Sequence, residues 1–350
     1  MTRQQTRRQR VILILASVLA VAVLTAGIWL YIAIYAPNVD LGEKEYTHLH
    51  IPTGSHYDDV KQTLQEQDII QNLRSFDWLA GQKNYPERIL PGRYRIRDGM
   101  SNNALINLLR SGEQDPVMLT FSSIRTKQEL ASVVGNQIEA DSLSLISLLS
   151  DNETMQQAGM DTLTGKMLFL PNTYEVFWNT TATELLARMQ REYGAFWNEK
   201  RLKRAEEIGL TPEESGILAS IVQSETGKVS EMDRIAGVYM NRLERNMPLQ
   251  ADPTVIFAHR DFGIRRVLNR HLTIDSPFNT YKYRGLPPGP IRLPAPHVID
   301  AVLHYEEHDY LYFSAKADFS GYHSFAESYT EHLRNAREFR RALDERDIFR

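Results

Sequence analysis

The longest apolar stretch comes first. From Val11 to Pro37 the chain reads VILILASVLAVAVLTAGIWLYIAIYAP without a charged residue, and about 20 apolar residues in a helix suffice to cross a bilayer. Arg3, Arg7, Arg8 and Arg10 precede it. Positive flanks stay in the cytoplasm, so everything after Tyr35 is expected outside, with Trp29, Tyr31 and Tyr35 as the outer aromatic belt. The run is too long for the apolar core of a cleaved signal peptide and lacks a clear small-residue cleavage site. It therefore predicts a cytoplasmic N-terminus over 1–10 and a retained anchor over 11–36.

Beyond the anchor the period changes. THLHIPTGSHYDDVKQTLQEQDII predicts a short strand, a Pro-Thr-Gly turn and an amphipathic helix through Val60 and Leu64. GRYRIRDGMSNNALINLLRSG predicts a strand, a turn at Asp98-Gly99 and a helix that starts at Ser101 and closes at Gly112. VMLTFSSIRTKQELASVVGNQ repeats strand then helix. The region 45–112, with strand, two helices and strand, resembles a LysM module of the kind that binds N-acetylglucosamine polymers; a plain packing domain would show the same alternation. The region 113–200 ends in GKMLFLPNTYEVFWNTTATELLARM, where Phe169, Tyr174, Phe177 and Trp178 crowd together. Core strands account for most of these rings, although aromatic faces also suit the apolar faces of sugars.

One later helix breaks its own pattern. Thr211, Pro212 and Glu214 form a capping box with proline at the first helical position, and Gly227 is the expected stop. Ile217, Leu218, Ile221 and Val222 mark the buried face. Glu225 falls on the continuation of that stripe, where an apolar residue would be ordinary. Partial burial and the negative helix end both disfavour its anion and raise its pKa. A carboxyl protonated near neutral pH is what a general acid for glycosidic cleavage requires. A plain ion pair with a nearby Arg, or a cap on the next helix at Ser230, is the structural alternative.

Composition narrows the classes. A chain of 350 residues has room for two or three domains. At 42% hydrophobic and 24% charged it is a folded type, and a net charge of −4 without a basic face excludes a nucleic-acid footprint. With no cysteine there is no disulfide, thiolate metal site or thiol nucleophile. HYEEH, His304 to His308, fits the H-x-x-E-H pattern of some zinc peptidases, but no third ligand follows on a helix. These histidines are expected at a solvated helix end, with no metal and no cofactor. Neither a nucleophile elbow nor a phosphate-binding loop is present.

Four blocks carry a family resemblance: LASIVQSET, IAGVYMNRLERNMPLQADPTVIF, FNTYKYRGLPPGPIRLP and YLYFSAKADFSGYHSFAESYTEH. In order and spacing they resemble the YceG family, the MltG-type endolytic murein transglycosylases. The resemblance implies an α+β protein with a single N-terminal transmembrane helix, a LysM-like small domain, and a mixed α/β catalytic domain over 201–350. It implies a lyase in the bacterial cytoplasmic (inner) membrane, catalytic domain outside, cutting nascent peptidoglycan glycan strands beside membrane-bound glycan polymerases. Glu225 would be the catalytic acid and then base, giving 1,6-anhydro ends. Some relatives carry a second Glu where this chain has Gln223. Asn241, Arg242, Gln250, Asp252, Asn279, Thr280, Tyr281, Gly289, His323 and Glu331 match positions implied to line the glycan groove. Each also has a structural reading: Asn241 and Arg242 could be exposed helix positions, and Arg242 could simply pair with Glu214 or Asp252. Asn172 and LPAPH depart from the usual family pattern. A silent glycan-binding scaffold, or a water-using muramidase pairing Glu225 with Asp252, are the alternative functions.

Overall fold

The computed structural model describes residues 3–346, with side chains from Arg7 onward. In chain order the elements are α1 (Arg3–Tyr35), β1 (Tyr46–Ile51), α2 (Tyr57–Glu66), α3 (Leu73–Gln82), β2 (Gly92–Arg97), α4 (Asn102–Ser111), β3 (Val117–Phe121), α5 (Lys127–Gly135), α6 (Ser142–Ser150), α7 (Asn152–Gln157) and β4 (Asn172–Val176). There follow α8 (Ala182–Phe196), α9 (Glu199–Glu207), α10 (Pro212–Glu225), α11 (Met232–Glu244), α12 (Asp252–His259), α13 (Pro296–Leu303), β5 (Tyr312–Ala315), β6 (His323–Ala326) and α14 (Tyr329–Asp344). Helices dominate, and the sheets are two-stranded: β1 with β2, β3 with β4, β5 with β6. The chain forms two compact units, one running through Val117 and taking in Glu175–Asn179, the other holding Met118–Tyr174 and the chain from Thr180.

In the first unit, β1 and β2 pair antiparallel with Leu49 opposite Tyr94 and Ile51 opposite Gly92. Alternation puts Leu49, Ile51, Tyr94 and Ile96 into a core with Val60, Leu64, Phe76 and Leu105. Ser101 caps α4 by accepting from the Ala104 amide, and Gly112 ends it in the left-handed conformation at φ 71°, which glycine adopts without strain. The last turn of α1 belongs to this unit. Ala33 is buried, and its carbonyl accepts from the buried Asn102 amide at 2.9 Å. Asn38 joins the same knot, donating to Asn102 Oδ1 at 2.6 Å and accepting from the Asn72 backbone at 2.8 Å. Residues Arg7–Tyr35 are long and apolar enough to cross a membrane.

In the second unit, α10, α11 and α13 enclose Leu218, Ile221, Val222, Ile235, Tyr239, Val298 and Val302. The rings of the 113–200 region divide. Phe169 and Tyr174 are buried against Phe121, whereas Phe177 is exposed and Trp178 sits edge-on to His50 in the first unit. The expected solvated helix end at His304–His308 is different in the structure. α13 stops at Leu303, so His304–His308 does not form one helix face. His308 is not a solvated end either: its ring contacts the Arg234 carbonyl at 2.9 Å and accepts from the Tyr310 amide. That segment lies so close to α11 that a Cβ on Gly237 would collide with the Glu306 carbonyl.

Candidate active site

The capping box of α10 forms as the sequence demands: Thr211 accepts from the Glu214 amide, and Glu214 accepts from the Thr211 amide at 2.8 Å. The exit differs from the expected glycine stop. The helix ends at Glu225, and Thr226 turns the chain extended at φ −140°, so the end needs no left-handed residue. Glu225 thus occupies the last helical position, with Leu218, Ile221 and Val222 behind it fully buried.

Its carboxyl lies at the floor of a cleft of about 260 Å³. Tyr239 of α11 donates to Glu225 Oε1 at 2.7 Å. The Glu225 pKa is pushed up to about 7. Burial among protein atoms is the main cause, the Tyr239 hydrogen bond opposes it, the Asp252 charge adds to it and the Arg242 charge subtracts. Burial also keeps the Tyr239 phenol well above its ordinary value, so it stays a donor.

Arg242, one turn after Tyr239, is buried at 7% exposure, and its hydrogen bonds among the described residues go to backbone carbonyls. It donates to the carbonyls of Leu311 and Leu249 at 2.7 Å each, and its guanidinium lies over the Tyr312 ring. It therefore ties β5 and the 248–250 loop to α11 while its charge faces the cleft. Gln250 lines the cleft from a left-handed backbone at φ 50°, an uncommon state for a non-glycine residue that costs on the order of 1 kcal/mol. Its amide donates to the Thr280 carbonyl at 3.1 Å, which holds it there. Asp252 opens α12 and accepts from the Tyr281 hydroxyl at 2.6 Å, both at the cleft wall.

The other residues implied by the family blocks occupy supporting positions outside that lining. Asn241 donates to the carbonyls of His308 and Tyr310. Asn279 is buried and donates to the carbonyls of Leu272 and Ile274, folding the loop that presents Tyr281. Thr280, also buried, accepts from the Ala251 amide at 3.0 Å and bonds the Thr254 hydroxyl, fixing the start of α12. Gly289 packs against the Leu163 backbone, where a Cβ would lie 3.2 Å away. His323 Nδ1 and its backbone amide both bond the buried Glu231 at 3.0 Å, pinning β6 to the start of α11. That α11 start also differs from expectation: Glu231, not Ser230, stands at its N-cap. Glu331 lies in the first turn of α14 and pairs with Arg334.

Other side chains complete the lining: Tyr239, Leu249, Tyr312, Phe313, Tyr329 and His332. Tyr312, Phe313, Tyr329 and His332 lie in the same sequence block as His323 and Glu331. Tyr312 stacks on His332 at 5.3 Å, and Phe313 meets Tyr239 edge-on at 5.9 Å. Burial and the Arg242 charge lower the His332 pKa, and its Nδ1 has no hydrogen-bond partner among the described residues. An aromatic wall faces one half-buried acid, an arrangement suited to a sugar ring stacked beside a proton donor. Gln223 turns away from this chemistry, its side-chain oxygen accepting from the Ala295 amide at 2.8 Å. Among the described residues no group of three or more His, Asp or Glu side chains could hold a metal ion.

Comparison with known proteins gives a consistent set. A family model described as the YceG-like family matches residues 49–338. An endolytic murein transglycosylase of Bacillus subtilis (strain 168) is 28% identical over 310 residues, covering 83% of this chain and 85% of that protein. A protein of the same name from Streptococcus pneumoniae is 29% identical over 336 residues, and this chain spans only 59% of its length. A crystal structure of a YceG-like protein from Listeria monocytogenes is 24% identical with a TM-score of 0.58, covering 83% of this chain and 99% of that one.

Proposed function

The chain belongs to the YceG-like family, and on that premise we propose that it is a peptidoglycan lytic transglycosylase whose acid and base is Glu225. The observation that carries the proposal is the Glu225 carboxyl itself, raised to about 7 at the floor of an aromatic cleft. At neutral pH a large share of it is protonated, as a general acid requires.

In the proposed reaction Tyr239 holds Oε1, and the proton on the other oxygen passes to the glycosidic oxygen between N-acetylmuramic acid and N-acetylglucosamine. The C1–O bond breaks and leaves positive charge at the anomeric carbon, shared with the substrate's acetamido group. The Glu225 carboxylate then takes the proton from the muramic C6 hydroxyl as O6 closes on C1. The product is a 1,6-anhydro end, and Glu225 is returned to its protonated form without consuming water. Asp252 is engaged with the Tyr281 hydroxyl, which suits a wall of the cleft better than a free base for water.

The remainder of the proposal concerns place. α1 spans the cytoplasmic membrane with the N-terminus inside, the LysM-like part of the first unit engages glycan, and the cleft works on nascent strands near the outer membrane face, beside glycan polymerases. The test is mass spectrometry of glycan ends after incubating the protein with un-crosslinked strands. Anhydro-muramic ends are expected from the parent, and a loss of roughly 100- to 10,000-fold in rate from Glu225→Gln, since the proposed proton donor is removed. Reducing ends would establish a muramidase instead, and no cleavage by the parent would leave a glycan-binding scaffold.

A further inference from the structure

The first unit is fastened to the end of α1 along more than its connecting chain. Asn102 donates to the Ala33 carbonyl and also to the Ser75 hydroxyl, both at 2.9 Å, so Ser75 of α3 lies level with Ala33. About one turn further along α3, Trp78 meets Trp29, which stands about one turn earlier on α1; the ring centroids are 5.4 Å apart at 61°. α3 therefore runs back alongside the apolar helix, toward its N-terminal half. Gln82 comes one turn after Trp78 on the same side of α3 and is exposed.

The depth of that contact follows from the length of the helix. A hydrocarbon layer of ~30 Å takes about 20 helical residues. Counted from Val11, just past Arg10, it ends near Leu30. Trp29 then sits at the outer boundary, where indole rings are enriched because one end is apolar and the N–H is wet. Ala33, one turn after Trp29 on the same flank of α1, is buried under α3 and α4, whereas Trp29 is 54% exposed and Tyr31 and Tyr35, on the opposite flank from Ala33, are 66% and 57% exposed. Trp78 cannot touch Trp29 without reaching the same level.

We propose that the face of the first unit formed by Trp78 and the C-terminal end of α3 rests on the lipid bilayer, with Trp78 a second interfacial anchor beside Trp29. This rests on the reading of α1 as a membrane span. The bilayer is the occupant because the face is continuous with the one helix that would lie in it. The unit is thereby held against the membrane at two points and cannot swing freely on its tether.

The chain holds no cysteine, so a single one introduced as Gln82→Cys reports alone. The protein is placed in nanodiscs of phosphatidylethanolamine and phosphatidylglycerol, and a nitroxide attached to the thiol of the Gln82→Cys variant is compared with one attached to Leu24→Cys, which is exposed on α1 within the counted span and near the level of Gln82. Relative collision with oxygen and with a water-soluble nickel chelate measures depth. The expected result is an oxygen-favoured ratio at position 82, approaching that at position 24 and severalfold above the aqueous value, and a drop toward the aqueous value when Trp78→Ser is added. An aqueous ratio at position 82 with a membrane ratio at position 24 would overturn the surface and leave the span. Aqueous ratios at both would overturn the span and the surface together.

Discussion

At the scale of the residue, the question is the proton on Glu225. Its native pKa of about 7 stands above the ordinary carboxyl value of 4.5. The folded protein therefore binds more protons than the unfolded chain between those two values, so this group's contribution to stability falls as pH rises through that window. At 1.36 kcal/mol per unit, the burden above pH 7 is at most about 3 kcal/mol. Glu225→Gln is accordingly expected to raise the melting temperature at pH 8 and to leave it nearly unchanged at pH 5, as differential scanning calorimetry would show. Tyr239→Phe acts in the other direction on the same proton. The hydrogen bond it removes lowers the Glu225 pKa. The alkaline fall in kcat/KM, where the proposed acid loses its proton, is expected to shift to higher pH, with a stability loss of about 1 kcal/mol. An unmoved pH profile would mean that Tyr239 only fills space.

At the scale of the element, the cleft depends on how α12 and the 248–250 loop are started. Thr280 is 1% exposed and receives the Ala251 amide, while its carbonyl receives the Gln250 amide. Thr280→Val keeps the shape and orphans the Ala251 amide, which is expected to cost about 1–3 kcal/mol. Because Gln250 and Asp252 flank that amide, KM is expected to rise more than kcat falls; the two are separated by steady-state kinetics on strands of defined length. α10 illustrates what local sequence can specify. Its cap, its proline and its apolar stripe are all local features, and they were legible. Its end was not, because Thr226 leaves the helix through an ordinary extended backbone rather than a glycine turn.

At the scale of the whole molecule, the last turn of the apolar helix α1 is part of a core. Ala33 is buried, Ile34 packs on the same cluster, and Asn102 depends on the Ala33 carbonyl. A chain shortened to begin at Asn38 is expected to lose about 1–3 kcal/mol of local stability around α4. Hydrogen exchange of the α4 amides should then be about 10- to 100-fold faster than in the full chain. Equal exchange would mean that α1 contributes nothing to the stability of α4.

The sequence by itself determined what depends on near neighbours. The charge-free run, the capped helix and the alternating strands follow from period and propensity, and Glu225 was visible because it interrupts a stripe. Residues from three of the family blocks besides that of Glu225 line the cleft. Which side chains within a block meet the acid is a different kind of fact. Tyr312, Phe313, Tyr329 and His332 line the cleft while His323 and Glu331 bond elsewhere, and all six are polar or aromatic residues of one short block. Only tertiary structure decides that, because a β5–β6 hairpin and the start of α14 present some positions inward and turn others away. Burial is likewise a sum over distant elements. The rise in the Glu225 pKa comes from α11, α12 and β5 closing around it, and no window of sequence contains all three.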